Sequence, residues 1–263
     1  MSDATDRRTF IQAGAVASAS ALALAQGIRA QEPDKKPPIP RRKLGKTGVE
    51  VTMLEAGAVR DSAPQILRLA FAGGIRTFDT AKAYGTEVHF KRWFEAAPEV
   101  RKEIFLVTKD SPRAPGQMMG MVDDRLKALG IDHIDLFFIH GLGDDHGADG
   151  AIKLLKDPEF RKAADAIKKS GKARFIGFST HHPQRHAIIE AAAQEGVVDA
   201  IMVQYAPWLE KDSPLNKALD LAHEKGIGLI SMKQVAGKFQ GNKRDIIAEV
   251  KERVKTLKER NLS

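Results

Sequence analysis

The sequence predicts an α/β fold, a parallel sheet with helices packed outside it. Two observations carry this expectation. Apolar strand-like runs begin near Val51, Ile75, Ile104, Ile134, Arg174, Asp199 and Ile227, and helical patterns fill the gaps between them. Strands such as Asp135-Leu-Phe-Phe-Ile139 are apolar throughout, as strands covered on both faces should be. Alternation of this kind over one chain makes a parallel sheet.

The chain opens with Asp6-Arg7-Arg8-Thr9-Phe10-Ile11, followed by an apolar stretch from Ala13 to Ala25 and by Ile28-Arg29-Ala30. A basic region, an apolar region and a small-residue cut site, in that order, read as a signal peptide over residues 1–30. The paired arginines resemble a twin-arginine signal, a receptor-read address for the export machinery of a bacterial envelope. The expected destination is the periplasm. At 1.5 Å per residue the apolar stretch spans roughly 20 Å as a helix, too short for a stable membrane anchor. Residues 31–40, Gln-Glu-Pro-Asp-Lys-Lys-Pro-Pro-Ile-Pro, read as a Pro-rich linker, and residues 41–263 as the folded body.

Within the body, Arg42-Lys-Leu-Gly45-Lys-Thr-Gly48-Val-Glu-Val51 reads as two short extended pieces around a glycine turn, a hairpin able to close the floor of a barrel. Met118, Met119, Val122, Leu126 and Leu129 fall on one helix face, so the methionines are core and surface of a helix rather than a cofactor feature. Leu215, Ala218, Leu219 and Ala222 repeat the pattern, as do Ile246, Ile247, Val250, Val254 and Leu257. An open dinucleotide-binding sheet would carry G-x-G-x-x-G after its first strand. The nearest match, Gly141-Leu-Gly143-Asp-Asp-His146, has His in the third glycine position and follows the fourth strand. No G-x-x-x-x-G-K-[ST] occurs. The regular spacing therefore favours a closed, TIM-like (β/α)8 barrel. Seven β/α units are visible, so the barrel is expected to be incomplete, lacking its eighth strand.

Formal charge is +8, of which +7 belongs to residues 31–263. This is a mild excess that suits a solvated surface or an anionic cofactor. No Lys/Arg block is interleaved with aromatics, which argues against nucleic-acid binding. With no cysteine, disulfides, zinc–thiolate sites and iron–sulfur clusters within the chain are excluded.

Barrel chemistry sits where strands end and helices begin. Those ends carry Asp79 and, in the following loop, Tyr84, then Lys109, His140, Ser179, Gln204 and Met232-Lys233. A buried Lys109 beside Asp79 stays charged and is expected to lower the pKa of a nearby Tyr84 hydroxyl. Such a Tyr can give a proton to an oxyanion, while His140 orients a carbonyl. That suits hydride addition to C=O. His181 and His182 could touch substrate or bind a metal, but no further ligand stands at a telling spacing. Lys238 could meet a phosphate, though a plain surface lysine is the better reading. A metal-dependent hydrolase would want an H-x-H pair on the first strand, which is absent.

On these residues the sequence resembles the aldo-keto reductases. Phe78-Asp-Thr-Ala-Lys-Ala-Tyr84-Gly85 is similar to that family's Asp/Tyr motif, Leu106-Val-Thr-Lys109 to its lysine strand, and Asp135-Leu-Phe-Phe-Ile-His140 to its histidine strand. Leu44-Gly-Lys-Thr-Gly48 resembles its amino-terminal hairpin. Lys172-Ala-Arg-Phe-Ile-Gly-Phe-Ser179 and the Gln204 strand resemble its nicotinamide-contact strands. The resemblance covers roughly residues 41–240. It implies an NADPH-dependent reduction of an aldehyde or ketone, with Tyr84 as general acid, Lys109 assisting, Asp79 holding Lys109 and His140 orienting the substrate. It also implies that Ser179 and Gln204 hold the nicotinamide carboxamide. The sequence departs from the family's pattern in four places. Met232-Lys233 stands where relatives commonly stack an aromatic on the nicotinamide. Thr180 follows Ser179 in place of Asn. The first strand, Leu54-Glu55-Ala56-Gly57, is poorer in glycine. The eighth strand, whose loop grips the adenosine 2′-phosphate, is expected to be missing, as in a C-terminally shortened chain. The alternative reading is a non-catalytic barrel that keeps the fold and binds a ligand or partner.

Overall fold

A computed structural model describes residues 38–57, 63–205 and 211–234, together with positions 251, 252, 254, 255 and 259. The signal-like segment, most of the linker, Lys238 and most of the helical pattern at 246–257 lie outside the described residues.

Two short strands, β1 (Arg41–Lys43) and β2 (Glu50–Thr52), form an antiparallel hairpin. Seven parallel strands follow: β3 (Glu55–Gly57), β4 (Thr77–Asp79), β5 (Phe105–Asp110), β6 (Ile134–Ile139), β7 (Ala173–Thr180), β8 (Ala200–Gln204) and β9 (Gly228–Met232). They lie side by side in chain order. A doubly wound sheet reverses its order at a switch point; this one never does, which is the winding of a barrel. The seven strands curl as an incomplete (β/α)8 barrel, with β3 and β9 unpaired to each other among the described residues.

The apolar run read from Val51 is in fact two strands. Residues 50–52 belong to the hairpin, and the first parallel strand starts only at Glu55, after the exposed pair Met53 and Leu54. The 40-residue interval before Arg174 holds two helices, α5 (Gly147–Lys156) and α6 (Pro158–Lys169). The break between them is chemical. Asp157 accepts the Glu159 amide at 2.9 Å as a helix cap, and Pro158 occupies the first helical position.

Side-chain alternation separates two apolar regions. Phe105, Val107, Leu136, Phe138, Ala200 and Met202 fill the barrel interior with Leu44 of the hairpin. Phe78, Leu106, Phe137, Ile176 and Ile201 face the surrounding helices. On β4, Phe78 points outward against Phe90 and Trp93 of α2 (Glu87–Ala96), with ring centroids 6.2 and 5.5 Å apart and edges meeting faces. Fixing Phe78 outward aims its neighbours Thr77 and Asp79 inward. Met118 of α4 (Met118–Leu129) is fully buried, and Met119 and Met121 pack partly against the same core.

Two glycines permit close approaches that a side chain would forbid. At Gly177 an added Cβ would lie 2.0 Å from the Ala200 carbonyl oxygen and 2.6 Å from Phe138. At Gly45, whose φ is +52°, it would lie 2.3 Å from the Gly226 carbonyl oxygen. The Lys46 amide donates to that same Gly226 oxygen at 2.6 Å. The hairpin thus closes the end of the barrel opposite the catalytic-type strand ends.

Candidate active site

Asp79 ends β4, and a single 3-10 turn at Lys82–Tyr84 follows, terminated by Gly85 at φ +69°. The turn is tied down from two sides. Thr80 and Thr86 share a hydroxyl contact of 2.8 Å, and Lys82 reaches Asp110 at 3.4 Å. Asp110 belongs to a buried outward-facing network on β5: Thr108 donates to Glu87 at 2.8 Å, and Arg125 meets Glu87 at 2.7 Å and Asp110 at 3.4 Å. Alternation along β5 places Thr108 and Asp110 in this clamp and Lys109 in the interior.

Lys109 is 1% exposed. Its ammonium donates to the Asp79 carboxylate and, at 3.1 Å, to the Thr80 carbonyl oxygen. The same ammonium lies 5.3 Å from the Tyr84 ring centroid. The Tyr84 hydroxyl stands 3.4 Å from Nε2 of His140, whose ring meets the tyrosine edge to face. Asp79, Tyr84, Lys109 and His140, on three neighbouring strand ends, are therefore brought into one constellation.

Its electrostatics differ from the sequence expectation in one respect. Lys109 does act to lower the pKa of Tyr84, but burial of the phenol outweighs it and the net direction is up. Tyr84 thus remains a proton carrier at neutral pH. Burial, then the charges of Lys109 and His181, push the His140 ring down to about 4, so it is neutral under the same conditions. Burial also raises the Asp79 carboxyl, against the pull of Lys109.

The remaining predicted residues line the next strand ends. Ser179 is buried at the end of β7, where its hydroxyl oxygen accepts the Gly141 amide at 3.1 Å. Gln204 ends β8 half-buried; its backbone carbonyl accepts from Arg185 at 3.0 Å. Met232 ends β9, and Lys233 follows in left-handed backbone at φ +54°, an uncommon state for a residue with a Cβ. Among the described residues no cluster of three or more His, Cys, Asp or Glu side chains could hold a metal. His181 instead pairs with Asp144 at 3.3 Å. Beside His140, a cavity of about 400 Å³ opens between the loop at Ser111–Pro115 and α5.

Residues 47–261 match the sequence model of the Aldo/keto reductase family. The chain belongs to that family. It is 27% identical to L-galactose dehydrogenase of Arabidopsis thaliana over 214 residues, covering 74% of this chain and 65% of the relative. It is 25% identical to L-glyceraldehyde 3-phosphate reductase of Escherichia coli K12 over 224 residues, covering 74% and 61% respectively. The match thus spans less than two thirds of the length of either relative. The fold resembles that of an aldo-keto reductase from Bacillus halodurans in its holo form, with a TM-score of 0.62 at 22% identity over 81% of this chain and 76% of the other.

Two features of this aldo/keto reductase site were not assigned a role from the sequence. The Glu87–Arg125–Asp110 clamp unites residues scattered over three elements, and no linear spacing marks it. Glu55 stands out in the sequence only as a non-glycine in the first strand, yet the charges of Asp79 and Lys109 act on its carboxyl.

Proposed function

We propose that this chain reduces an aldehyde or ketone to an alcohol with NADPH, with Tyr84 as general acid. The observation that carries the reading is the placement of the Tyr84 hydroxyl beside neutral His140, with the buried Lys109–Asp79 pair behind its ring. The strand ends beyond suit a carboxamide. Ser179 has a hydroxyl proton left to donate, and the Gln204 side-chain amide makes no hydrogen bond with the described residues. When bound, the nicotinamide supplies the hydride. As the carbonyl carbon gains that hydride, its oxygen takes the proton from Tyr84, and the phenolate left behind faces the Lys109 ammonium until solvent reprotonates it. His140, neutral, hydrogen-bonds the same oxygen and fixes its direction.

The test is Tyr84→Phe, which removes the proton and almost no volume. Carbonyl-dependent NADPH oxidation should fall by about 100- to 10,000-fold, with the circular dichroism spectrum unchanged. Turnover at the unmodified rate would overturn the assignment. We also propose that residues 1–30 act as a twin-arginine signal that sends the chain to the periplasm. This rests on the sequence order of Arg7-Arg8, the apolar stretch and Ile28-Arg29-Ala30.

A further inference from the structure

The barrel interior holds a carboxyl group that the reaction above leaves unused. Glu55 on β3 lies opposite Thr77 of β4, which lies opposite Phe105 of β5, an interior residue. The next row, Ala56, Phe78 and Leu106, packs against the outer core. Glu55 therefore points inward, one pleat beneath the row of Gly57 and Asp79. Its side chain makes no hydrogen bond with the described residues. It borders a cavity of about 590 Å³ between β3 and β9, and is part-exposed there although densely surrounded by protein atoms. The charges that act on it are those of Asp79 from β4 and Lys109 from β5; Arg42 and Lys43 from the hairpin and Lys233 after β9 line the same cavity. Burial, with Asp79 adding and Lys109 opposing, pushes the Glu55 carboxyl up to about 8.

We propose that Glu55 is a positioning residue for Lys109. Neutral, it leaves the ammonium to Asp79 and Tyr84; ionised, it competes for that ammonium and weakens its support of the Tyr84 phenolate. Two carboxylates in the field of one buried ammonium cannot both be fully compensated. The pair Asp79–Lys109 is neutral as a unit, and a charged Glu55 beneath it makes the interior net negative. Removal of a proton from Tyr84 then becomes harder, and so does its donation in the transition state. The catalytic meaning of this inference rests on the reductase reading, but the coupling itself does not.

The chain has only two tyrosines, Tyr84 and Tyr205. In a Tyr205→Phe background the tyrosinate absorbance therefore reports Tyr84 alone. Adding Glu55→Gln should let Tyr84 ionise at a pH lower by roughly half a unit or more. An unchanged midpoint would overturn the proposal. A carboxyl carbon NMR titration of the full unaltered chain guards against a misfolded variant. The Glu55 signal, assigned separately from that of Glu87, whose carboxyl burial also raises, should titrate well above the ordinary range, and finding it within that range would also overturn the proposal. With NADPH and a carbonyl substrate, Glu55→Gln should move the alkaline limb of kcat upward and leave KM unchanged. Absence of turnover in both proteins would sink the reductase reading, while the tyrosinate titration would still decide the role of Glu55.

Discussion

Replacing Lys109 by Met keeps most of the side-chain volume and deletes one charge from the barrel interior. The ammonium it removes serves Asp79 and the Thr80 carbonyl oxygen and is 1% exposed. Leaving one member of a buried ion pair alone typically costs about 3–5 kcal/mol. Asp79 can escape part of this by taking a proton, because burial already raises its pKa and the lost lysine is what opposed that rise. The sign follows from linkage. A carboxyl whose folded-state pKa lies above the unfolded value near 3.9 favours the protonated fold. Its cost is absent below that value and grows by about 1.4 kcal/mol per pH unit until the folded pKa is passed. At low pH the variant should therefore lose only its hydrogen bonds, about 1–2 kcal/mol. At pH 7 it should approach the full penalty, and adding Asp79→Asn should restore a large part. Urea unfolding of the wild type, Lys109→Met and the double variant at both pH values measures the three differences. A penalty below about 1 kcal/mol at pH 7, or one independent of pH, would refute the reasoning.

Gly177→Ala drives a methyl group into the Ala200 carbonyl of the adjoining strand, where only backbone could give way; a loss of about 3 kcal/mol is expected in the same unfolding assay. The His140 ring should protonate near pH 4 in a proton NMR titration, since burial and the charges of Lys109, His181 and Lys233 oppose the imidazolium; a midpoint in the ordinary histidine range would contradict the buried geometry. Arg7→Lys with Arg8→Lys should hold the chain in the cytoplasm of a bacterial host, and unchanged recovery of this variant from the periplasmic fraction would exclude the twin-arginine route.

The parallel architecture could be read from the sequence because strands covered on both faces must be apolar throughout, and runs such as Phe137-Phe-Ile139 have no other role. Asp79 and Lys109 could be found because each interrupts such a run at its C-terminal end. What the sequence left open depends on pairing. Val51 and Glu55 look like one strand until the hairpin claims the first and the sheet the second. That Glu55 faces inward follows only from its register with Thr77, 22 positions away. The direction of the Tyr84 shift was misjudged for a related reason. The lysine charge is visible in sequence, while the burial that outweighs it belongs to the assembled site.

The hairpin that closes the floor sets an order on folding. Gly45 and Lys46 fit only against the backbone at Gly226–Gly228, about 180 positions further along the chain. Closing so long a loop costs entropy that nothing local offsets early. During synthesis, the hairpin, made before every other described strand, must wait for β9 before it can lodge. Until then Leu44, 3% exposed in the folded chain, is an apolar side chain without a seat. The floor thus sets only once β9 has been made and has found its place.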